Sequence, residues 1–262
     1  MQALLDALST ARVFDLAQPY YVGMPHHPAH PPFLFGLTKQ HGDYVAPNGA
    51  SSAADALALG SHNGTHIDAL CHFSCGGRLH DGTAARDAQS PGGGLRKFSI
   101  DTVAPILRRG VLLDIAGLEG SAPLDSGFEI TPAHLDRAVR AQDVEVRPGD
   151  VVLLRTGWAQ YWNDAARFIS QVCGPGPAID GARWLSAHGA FAAGSDTVAF
   201  ERVPDANMPV HVHLLVESGI HIIECLNLEE LAARRVHTFL FVAAPLKIAG
   251  ATGSPIRPLA LA

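Results

Sequence analysis

Short apolar runs, rather than long amphipathic stretches, dominate the hydrophobic pattern of the chain. Runs of this length that are bounded by glycine, proline or charged residues are typical of buried β-strands. The pattern predicts such strands within residues 110–117 (GVLLDIAG), 150–157 (DVVLLRTG), 197–200 (TVAF), 221–226 (HIIECL) and 237–248 (HTFLFVAAPLKI).

Three helices are predicted beside these strands from their starting signals. Thr131 followed by Pro132 is an N-cap before a residue whose fixed φ suits the first helical turn, and it predicts a helix over PAHLDRAVRAQ. Asp180 is the predicted cap of a helix over GARWLSAHGA, and a third helix is predicted over LEELAARR after Asn227. Together the patterns predict a mixed α/β fold with more strand than helix.

The length of 262 residues suits one large domain or two small ones. Residues 91–94 (PGGG) and 174–177 (GPGP) predict loops, and residues 23–50, rich in proline, histidine and glycine, predict an irregular, partly aromatic segment. None of these is long and polar enough for an interdomain linker. We therefore predict a single domain over residues 1–262.

The amino-acid composition excludes several classes of protein. Hydrophobic residues make up 47% and charged residues 17%, which supplies a sizeable core and excludes a disordered chain. A formal net charge of -6 argues against nucleic-acid binding, which needs clustered Lys and Arg. No apolar run is long enough to cross a membrane, and the N-terminal segment lacks a basic region and a clear cleavage site, so we expect a cytoplasmic protein.

Four cysteines are present, and we expect them to be reduced in such a compartment. Cys71 and Cys75 stand beside His72 and His80, which leaves a structural zinc knuckle as an alternative. No second cysteine pair follows at zinc-finger spacing, so this alternative is the weaker one.

Candidate chemistry concentrates in residues 61–73, SHNGTHIDALCHF. His66 and Asp68 would share one face of an extended strand, with His62 before them and His72 after. Imidazoles and a carboxylate form a ligand set suited to Zn²⁺ or Mn²⁺, and Gly64 would let the backbone pass close to an ion. A lone histidine is usually an ordinary core or surface residue. Three histidines and an aspartate in eleven positions predict instead a metal or catalytic site.

The pattern H-x-G-T-H-x-D-x-x-x-H over residues 62–72 resembles the signature of the cyclase-like metal hydrolases, the family of isatin hydrolases and bacterial kynurenine formamidases. Leu70 stands where that family usually has a proline, which shapes the backbone and binds no metal. The resemblance implies a three-layer β/β/α domain of the swivelling type. It extends over residues 14–16 with 23–25, 110–114, 148–156, 194–197 and 208–228.

The resemblance also implies roles for the motif. Residues that match His62, His66 and Asp68 bind the metal in this family, and the residue that matches His72 is the acid/base group. The implied cofactor is a divalent metal, Mn²⁺ or Zn²⁺.

A later histidine and a glutamate complete the site in the family. Glu224 is the match for the glutamate, and a carboxylate within HIIEC is rarely buried without a partner. His211, which follows Pro209-Val210, is the first choice for the histidine. His213 is a close rival because it would share a face with His211 in a strand, and His221 is a weaker candidate.

The implied function is hydrolysis of the C–N bond of a cyclic or aryl amide, isatin-like or N-formylkynurenine-like, by metal-activated water. The departing nitrogen needs a proton, which either His72 or Glu224 could supply. A dienelactone-type lactone hydrolase and a non-catalytic metal-binding protein are the alternatives. The resemblance also implies a homodimer or homotetramer, the assemblies that members of the family commonly form. Aromatic residues available to hold a substrate ring are Phe73, Trp158, Trp184, Tyr20, Tyr21, Phe33 and Phe35.

Overall fold

The computed structural model of the protein describes residues 2–262, and a nine-stranded mixed sheet is its central element. Its strands are β1 (Val13–Asp15), β4 (His66–Asp68), β7 (Ile106–Asp114), β9 (Val151–Arg155), β11 (Ala192–Ser195), β12 (His221–Glu224), β13 (Thr238–Ala243), β14 (Gly253–Pro255) and β15 (Leu259–Leu261). The strand order in this sheet is β1-β15-β13-β7-β9-β11-β12-β4-β14. Within it, β7, β9, β11 and β12 run parallel to one another, and the remaining neighbours are antiparallel.

Three two-stranded pairings accompany the large sheet. They are formed by β2 (Leu34–Lys39) with β3 (Ala54–Ala58), β5 (Gln89–Ser90) with β6 (Gly94–Leu95), and β8 (Glu129–Ile130) with β10 (Gly176–Pro177).

Short helices connect the strands. The α-helices are α1 (Gln2–Thr10), α2 (Ala85–Ala88), α3 (Ile115–Glu119), α4 (Pro132–Ala141), α5 (Ala165–Ile169), α6 (Ile179–Ala187), α7 (Pro209–His211) and α8 (Glu229–Ala233). Single 3₁₀ turns cover Leu70–His72, Ile100–Thr102 and Trp158–Tyr161, and a π-helix over Val212–Ser218 continues α7.

Both faces of the central strands are buried, which explains their continuous apolar runs. On β9, Val152 and Leu154 belong to the cluster that includes Leu135 of α4 and Leu185 of α6. The alternating residues Val151 and Leu153 belong to the opposite cluster, with residues of β13 and α8. The predicted mixed, strand-rich α/β class is therefore confirmed, while the single-domain assignment for residues 1–262 stays a prediction.

The prediction of a strand at residues 197–200 is wrong. The strand is Ala192–Ser195, and Phe200 has a left-handed backbone with φ 45°. Small side chains are needed there, because a Cβ on Gly194 would lie 3.0 Å from side-chain atoms of both Leu153 and Leu226. A strand of alanine, glycine and serine has few large apolar side chains. The hydrophobic pattern therefore predicts the strand too far toward the C-terminus.

The predicted helices form with one correction. Thr131 and His134 form a capping box at the start of α4, and α8 begins at Glu229 as expected. Asp180 is not the cap of α6, which begins at Ile179 after an extended Ala178. Asp180 lies in the first turn instead, where its carboxylate accepts a hydrogen bond from Arg183.

Residues 23–50 are not irregular throughout. β2 lies within this segment and pairs with β3 to form a hairpin. The segment at 174–177 likewise contains β10. Within the described residues, no helix is both long and apolar enough to cross a membrane.

Candidate metal centre and active site

The centre of the site is built on strand β4. His66 and Asp68 lie two residues apart on this strand, and Glu224 of the neighbouring β12 is the cross-strand partner of His66. The Nε2 atom of His66 is 3.5 Å from Oδ1 of Asp68 and 3.5 Å from Oε2 of Glu224. All three side chains are buried. The predicted common face of His66 and Asp68 is therefore present, and the sheet adds the glutamate to it.

A tight turn before β4 brings His62 to the same point. Gly64 has φ +60°, and a Cβ there would lie 2.6 Å from the Tyr20 ring. The Tyr20 hydroxyl lies 2.8 Å from the carbonyl oxygens of both Asn63 and Thr65, the residues on either side of this glycine. The turn leaves Nδ1 of His62 2.7 Å from Oδ1 of Asp68.

His72 lies at the end of the 3₁₀ turn after β4. Its ring stacks on the His62 ring with 3.9 Å between centroids and 26° between planes. The Phe73 ring is 5.0 Å from His72 and 4.8 Å from His211, so it fills the space between these imidazoles.

Of the three later histidines, the structure brings His211 into the site. Its Nε2 atom is 3.4 Å from Oε1 of Glu224. His213 faces elsewhere, with Nδ1 2.8 Å from Glu217, because this segment is helical and residues two apart do not share a helix face. The strand geometry that would have placed His213 on the face of His211 is therefore not the geometry of this segment. His221 donates from Nδ1 to the backbone oxygen of Asp68 and lines a separate surface cavity.

In His62, His66 and His211, one ring nitrogen is held by a group outside the cluster. Nδ1 of His66 donates to the Gly64 carbonyl oxygen at 2.8 Å. Nδ1 of His211 lies 2.6 Å from Oε1 of Glu201, and Nε2 of His62 lies 2.8 Å from Oγ1 of Thr252. The second nitrogen of each ring is thereby directed at Asp68 or Glu224, an arrangement typical of metal-ligating imidazoles.

The carboxylates supply the clearest sign of a missing positive charge. Oδ2 of Asp68 and Oε1 of Glu224 are buried and have no hydrogen-bond partner among the described residues. Burying unpaired carboxylate oxygens is costly unless a cation compensates. Ligand atoms lie within 4.8 Å of one another in two overlapping groups, His62-Asp68-His72 and Asp68-His211-Glu224. The donor set fits a divalent cation, with Asp68 common to both groups.

A family profile described as putative cyclase matches residues 14–202. The chain belongs to the putative cyclase family. It is 29% identical to the isatin hydrolase of Roseibium aggregatum, over 78% of this chain and 73% of that protein. It is 25% identical to the kynurenine formamidase of Bacillus mycoides, over 95% of this chain and 97% of that protein. A crystal structure of a novel cyclase superposes with a TM-score of 0.88 at 33% identity, covering 99% of this chain and 90% of that one. The predicted family resemblance is confirmed.

The two acidic groups of this cyclase-family site, Asp68 and Glu224, differ in pKa because of burial and neighbouring charges. Burial alone would raise the pKa of Asp68, but its electrostatic interactions with the His72 and His62 imidazoles and its hydrogen bond with His62 outweigh burial and hold that pKa below its usual range. Burial raises the pKa of Glu224 to about 7. Asp68 is therefore an anion at neutral pH, whereas Glu224 exchanges a proton near neutrality.

The imidazoles of the site also differ from one another in pKa. Burial lowers the pKa of His66 to about 4 and that of His72 to about 3, so both rings are neutral at pH 7. Burial acts in the same direction on His211, but the neighbouring carboxylates of Glu201 and Glu224 raise its pKa to about 10.

A cavity of about 280 Å³ opens onto these groups. Its lining includes a set of apolar residues, here called the apolar wall, and the imidazoles of His27 and His30, and among the described residues no lysine or arginine lines it. Of the aromatic residues predicted to hold a substrate ring, Phe73 lines this cavity, whereas Trp158 and Phe33 are packed in a buried cluster. The apolar wall consists of Phe73, Val172, Val198, Ala199, Val203 and Met208.

Four site residues were not identified from the sequence: Glu201, Thr252, His27 and His30. His27 and His30 lie within residues 23–50, whose composition predicts only an irregular segment, and Glu201 and Thr252 stand in no motif. The zinc-knuckle alternative gains no support, because all four cysteines are free and none belongs to a cluster of possible metal ligands in the described chain.

Proposed function

We propose that this cyclase-family chain is a metal-dependent hydrolase that cleaves the C–N bond of a cyclic or aryl amide. The observation that carries the proposal is the convergence of His66 and His211 on two buried carboxylates, each with one oxygen that lacks a hydrogen-bond partner. The similarity to proteins named isatin hydrolase and kynurenine formamidase supports the amide assignment.

The metal would be held by His62, His66 and Asp68, with His211 and Glu224 completing the site. Nitrogen and carboxylate donors suit Zn²⁺ and Mn²⁺ alike. When bound, such a cation supplies Lewis acidity, which polarises a carbonyl group and lowers the pKa of water beside it.

Proton transfer falls to His72 and Glu224. The buried ring of His72 is neutral at pH 7, so it can accept a proton from the attacking water. The departing amide nitrogen must then receive a proton. Protonated His72 can return it, and Glu224, with a pKa of about 7, is the second group positioned to do so.

The cavity favours a compact, uncharged substrate. Among the described residues, its lining offers an apolar wall and several imidazoles, but no lysine or arginine to pair with a carboxylate. N-formylkynurenine carries the ammonium and carboxylate of an amino acid, whereas isatin is uncharged. We therefore assign an isatin-like amide ahead of N-formylkynurenine.

A substrate panel tests this assignment. Metal-stripped protein is reloaded separately with Zn²⁺ and Mn²⁺ and offered isatin, N-formylkynurenine and a dienelactone, and turnover is followed by absorbance. His72→Ala is the inactive variant, and His41→Ala, in an exposed segment, is the matched control. We expect opening of isatin that is lost in His72→Ala alone.

Other outcomes of the panel correct the proposal in specific ways. Turnover of N-formylkynurenine alone would overturn the substrate order but keep the amide chemistry. Turnover of the lactone alone would replace the amidase with a lactone hydrolase. Metal binding without any turnover would favour the non-catalytic alternative.

We further propose a cytoplasmic homodimer or homotetramer. The β2–β3 hairpin exposes Leu34, Phe35, Leu37 and Leu57 by 50 to 58%, which is typical of a surface covered by another subunit. Four free cysteines suit a reducing compartment. Light scattering that gives the 27.6 kDa mass of one chain would contradict the assembly, and export of the tagged chain would contradict the location.

A further inference from the structure

We infer that Thr252 is a positioning residue that holds the His62 ring with Nδ1 toward the metal site, through a hydrogen bond at Nε2. The inference rests on the proposed metal-dependent function. Thr252 lies beyond residues 14–202, the part of the chain that the family profile matches.

Each ring nitrogen of His62 has one hydrogen-bond partner. Nδ1 lies 2.7 Å from Oδ1 of Asp68, and Nε2 lies 2.8 Å from Oγ1 of Thr252. The rings of His72 and His30 stack against it at centroid distances of 3.9 and 5.1 Å. The protonation pattern of this ring therefore depends on one carboxylate and one hydroxyl.

These two partners differ in what they can do. The carboxylate of Asp68 can only accept a hydrogen bond, whereas the Thr252 hydroxyl can donate or accept. In the neutral, metal-free ring, Nδ1–H donates to Asp68 and the hydroxyl donates to Nε2. When Nδ1 is a metal ligand its proton must be absent, so Nε2 carries the hydrogen and donates to the Thr252 oxygen. The Thr252 hydroxyl can therefore keep its hydrogen bond to Nε2 of His62 both in the metal-free ring and when Nδ1 is a metal ligand.

The backbone around Thr252 is fitted to this contact. Its carbonyl oxygen accepts the Ala69 N–H at 2.9 Å, and Gly253 pairs with Asp68 across the β14–β4 ladder. A Cβ on Gly253 would lie 2.7 Å from Cε1 of His62. The edge strand therefore approaches the ring closely, and the hydroxyl meets Nε2 without rearrangement.

Two substitutions separate the hydroxyl from the shape of the side chain. Thr252→Val keeps the branched shape and removes the hydroxyl, whereas Thr252→Ser keeps the hydroxyl. Calorimetric titration of metal-stripped protein with Zn²⁺ should give a Kd about 10-fold weaker for the Val variant, the lower end of what loss of such a partner costs. The Ser variant should bind like the wild type. Thr252→Ala is a second hydroxyl-free variant with the same expectation, should Val displace β14.

Nitrogen NMR of ¹⁵N-histidine-labelled protein reads the tautomer directly, with His62 identified by the signal lost in His62→Gln. We expect the proton on Nδ1 without metal and on Nε2 with Zn²⁺ in the wild type and the Ser variant. In the metal-free Val variant the Nε2 resonance should shift as its hydrogen bond is lost. Thermal unfolding of each metal-free variant checks the fold.

Unchanged Kd and unchanged His62 resonances in both hydroxyl-free variants would overturn the inference. An equal loss of affinity in the Ser variant would overturn it as well, because packing and not the hydroxyl would then be responsible. A wild type that binds no Zn²⁺ would contradict the proposed function, while the metal-free spectra would still decide the role of Thr252.

Discussion

Glu201 holds His211 at two points. Oε1 of this glutamate lies 2.6 Å from Nδ1 of His211 and accepts the backbone N–H of the same residue at 2.9 Å. Both residues are buried. Because a carboxylate can only accept, this contact requires a hydrogen on Nδ1 and leaves Nε2 facing Glu224, toward the proposed metal site.

Glu201→Gln should therefore weaken metal binding. The amide offers a donor as well as an acceptor, so it permits the tautomer in which Nε2 of His211 carries the hydrogen. We expect the Kd for Zn²⁺, measured by calorimetry, to rise by about 10- to 100-fold. Glu217→Gln, which changes the exposed partner of His213, is the matched control. Equal effects of the two variants would contradict the assigned orientation.

His72→Ala should separate proton transfer from metal binding. His72 shares a ligand cluster with His62 and Asp68, so geometry alone permits either role. As the proton-transfer residue, its loss should lower kcat by about 10²- to 10⁴-fold and leave the Kd for Zn²⁺ unchanged. His66→Ala, which removes a proposed ligand, should weaken binding itself. If His72→Ala loses as much affinity as His66→Ala, His72 is a ligand.

Gly64→Ala should destabilise the protein more than Gly76→Ala. Both glycines have positive φ, +60° and +55°, so both substitutions carry about 1–2 kcal/mol of left-handed strain. A Cβ at Gly64 also lies 2.6 Å from the Tyr20 ring, whereas nothing lies within 4 Å at Gly76. Urea unfolding should show a further loss of about 1–3 kcal/mol at Gly64. Similar losses at both positions would mean that Tyr20 does not brace this turn.

Asp196→Asn should change how stability depends on pH. Burial raises the pKa of Asp196 from 3.8 to about 6. Because the folded-state pKa is the higher one, the stability from its neutral form is fully present below pH 3.8 and lost as the pH rises through 6. The variant cannot ionise, so its unfolding free energy relative to wild type should rise between pH 4 and 7, by at most about 3 kcal/mol. Urea unfolding across this range checks it, and a constant difference would refute it.

The centre of the site was predictable because its spacing is local. His66 and Asp68 share a strand face, and the glycine turn returns His62 to them, so eleven residues hold most of the proposed ligands. His211 and Glu224 followed from the family resemblance and not from spacing. Helical geometry, which the sequence pattern did not reveal, is what separates His211 from His213.

The supporting residues were not predictable for a physical reason. Thr252 meets His62 across 190 positions of chain, and a hydroxyl has no periodic signature. Glu201 reaches His211 through a turn that includes the left-handed Phe200 and Met208. One strand was predicted at the wrong position for a similar reason. Ala192–Ser195 lacks the bulky apolar side chains by which buried strands are identified from a sequence.

The central claim is that the buried cluster around Asp68 holds the divalent cation on which amide hydrolysis depends. Its most direct test is an activity titration, in which metal-stripped protein receives Zn²⁺ or Mn²⁺ in steps while isatin loss is followed by absorbance. We predict no turnover in the stripped protein and a rise that ends when the cluster is filled, with Asp68→Asn inactive throughout. Full activity in the stripped protein, or in Asp68→Asn, would contradict the account.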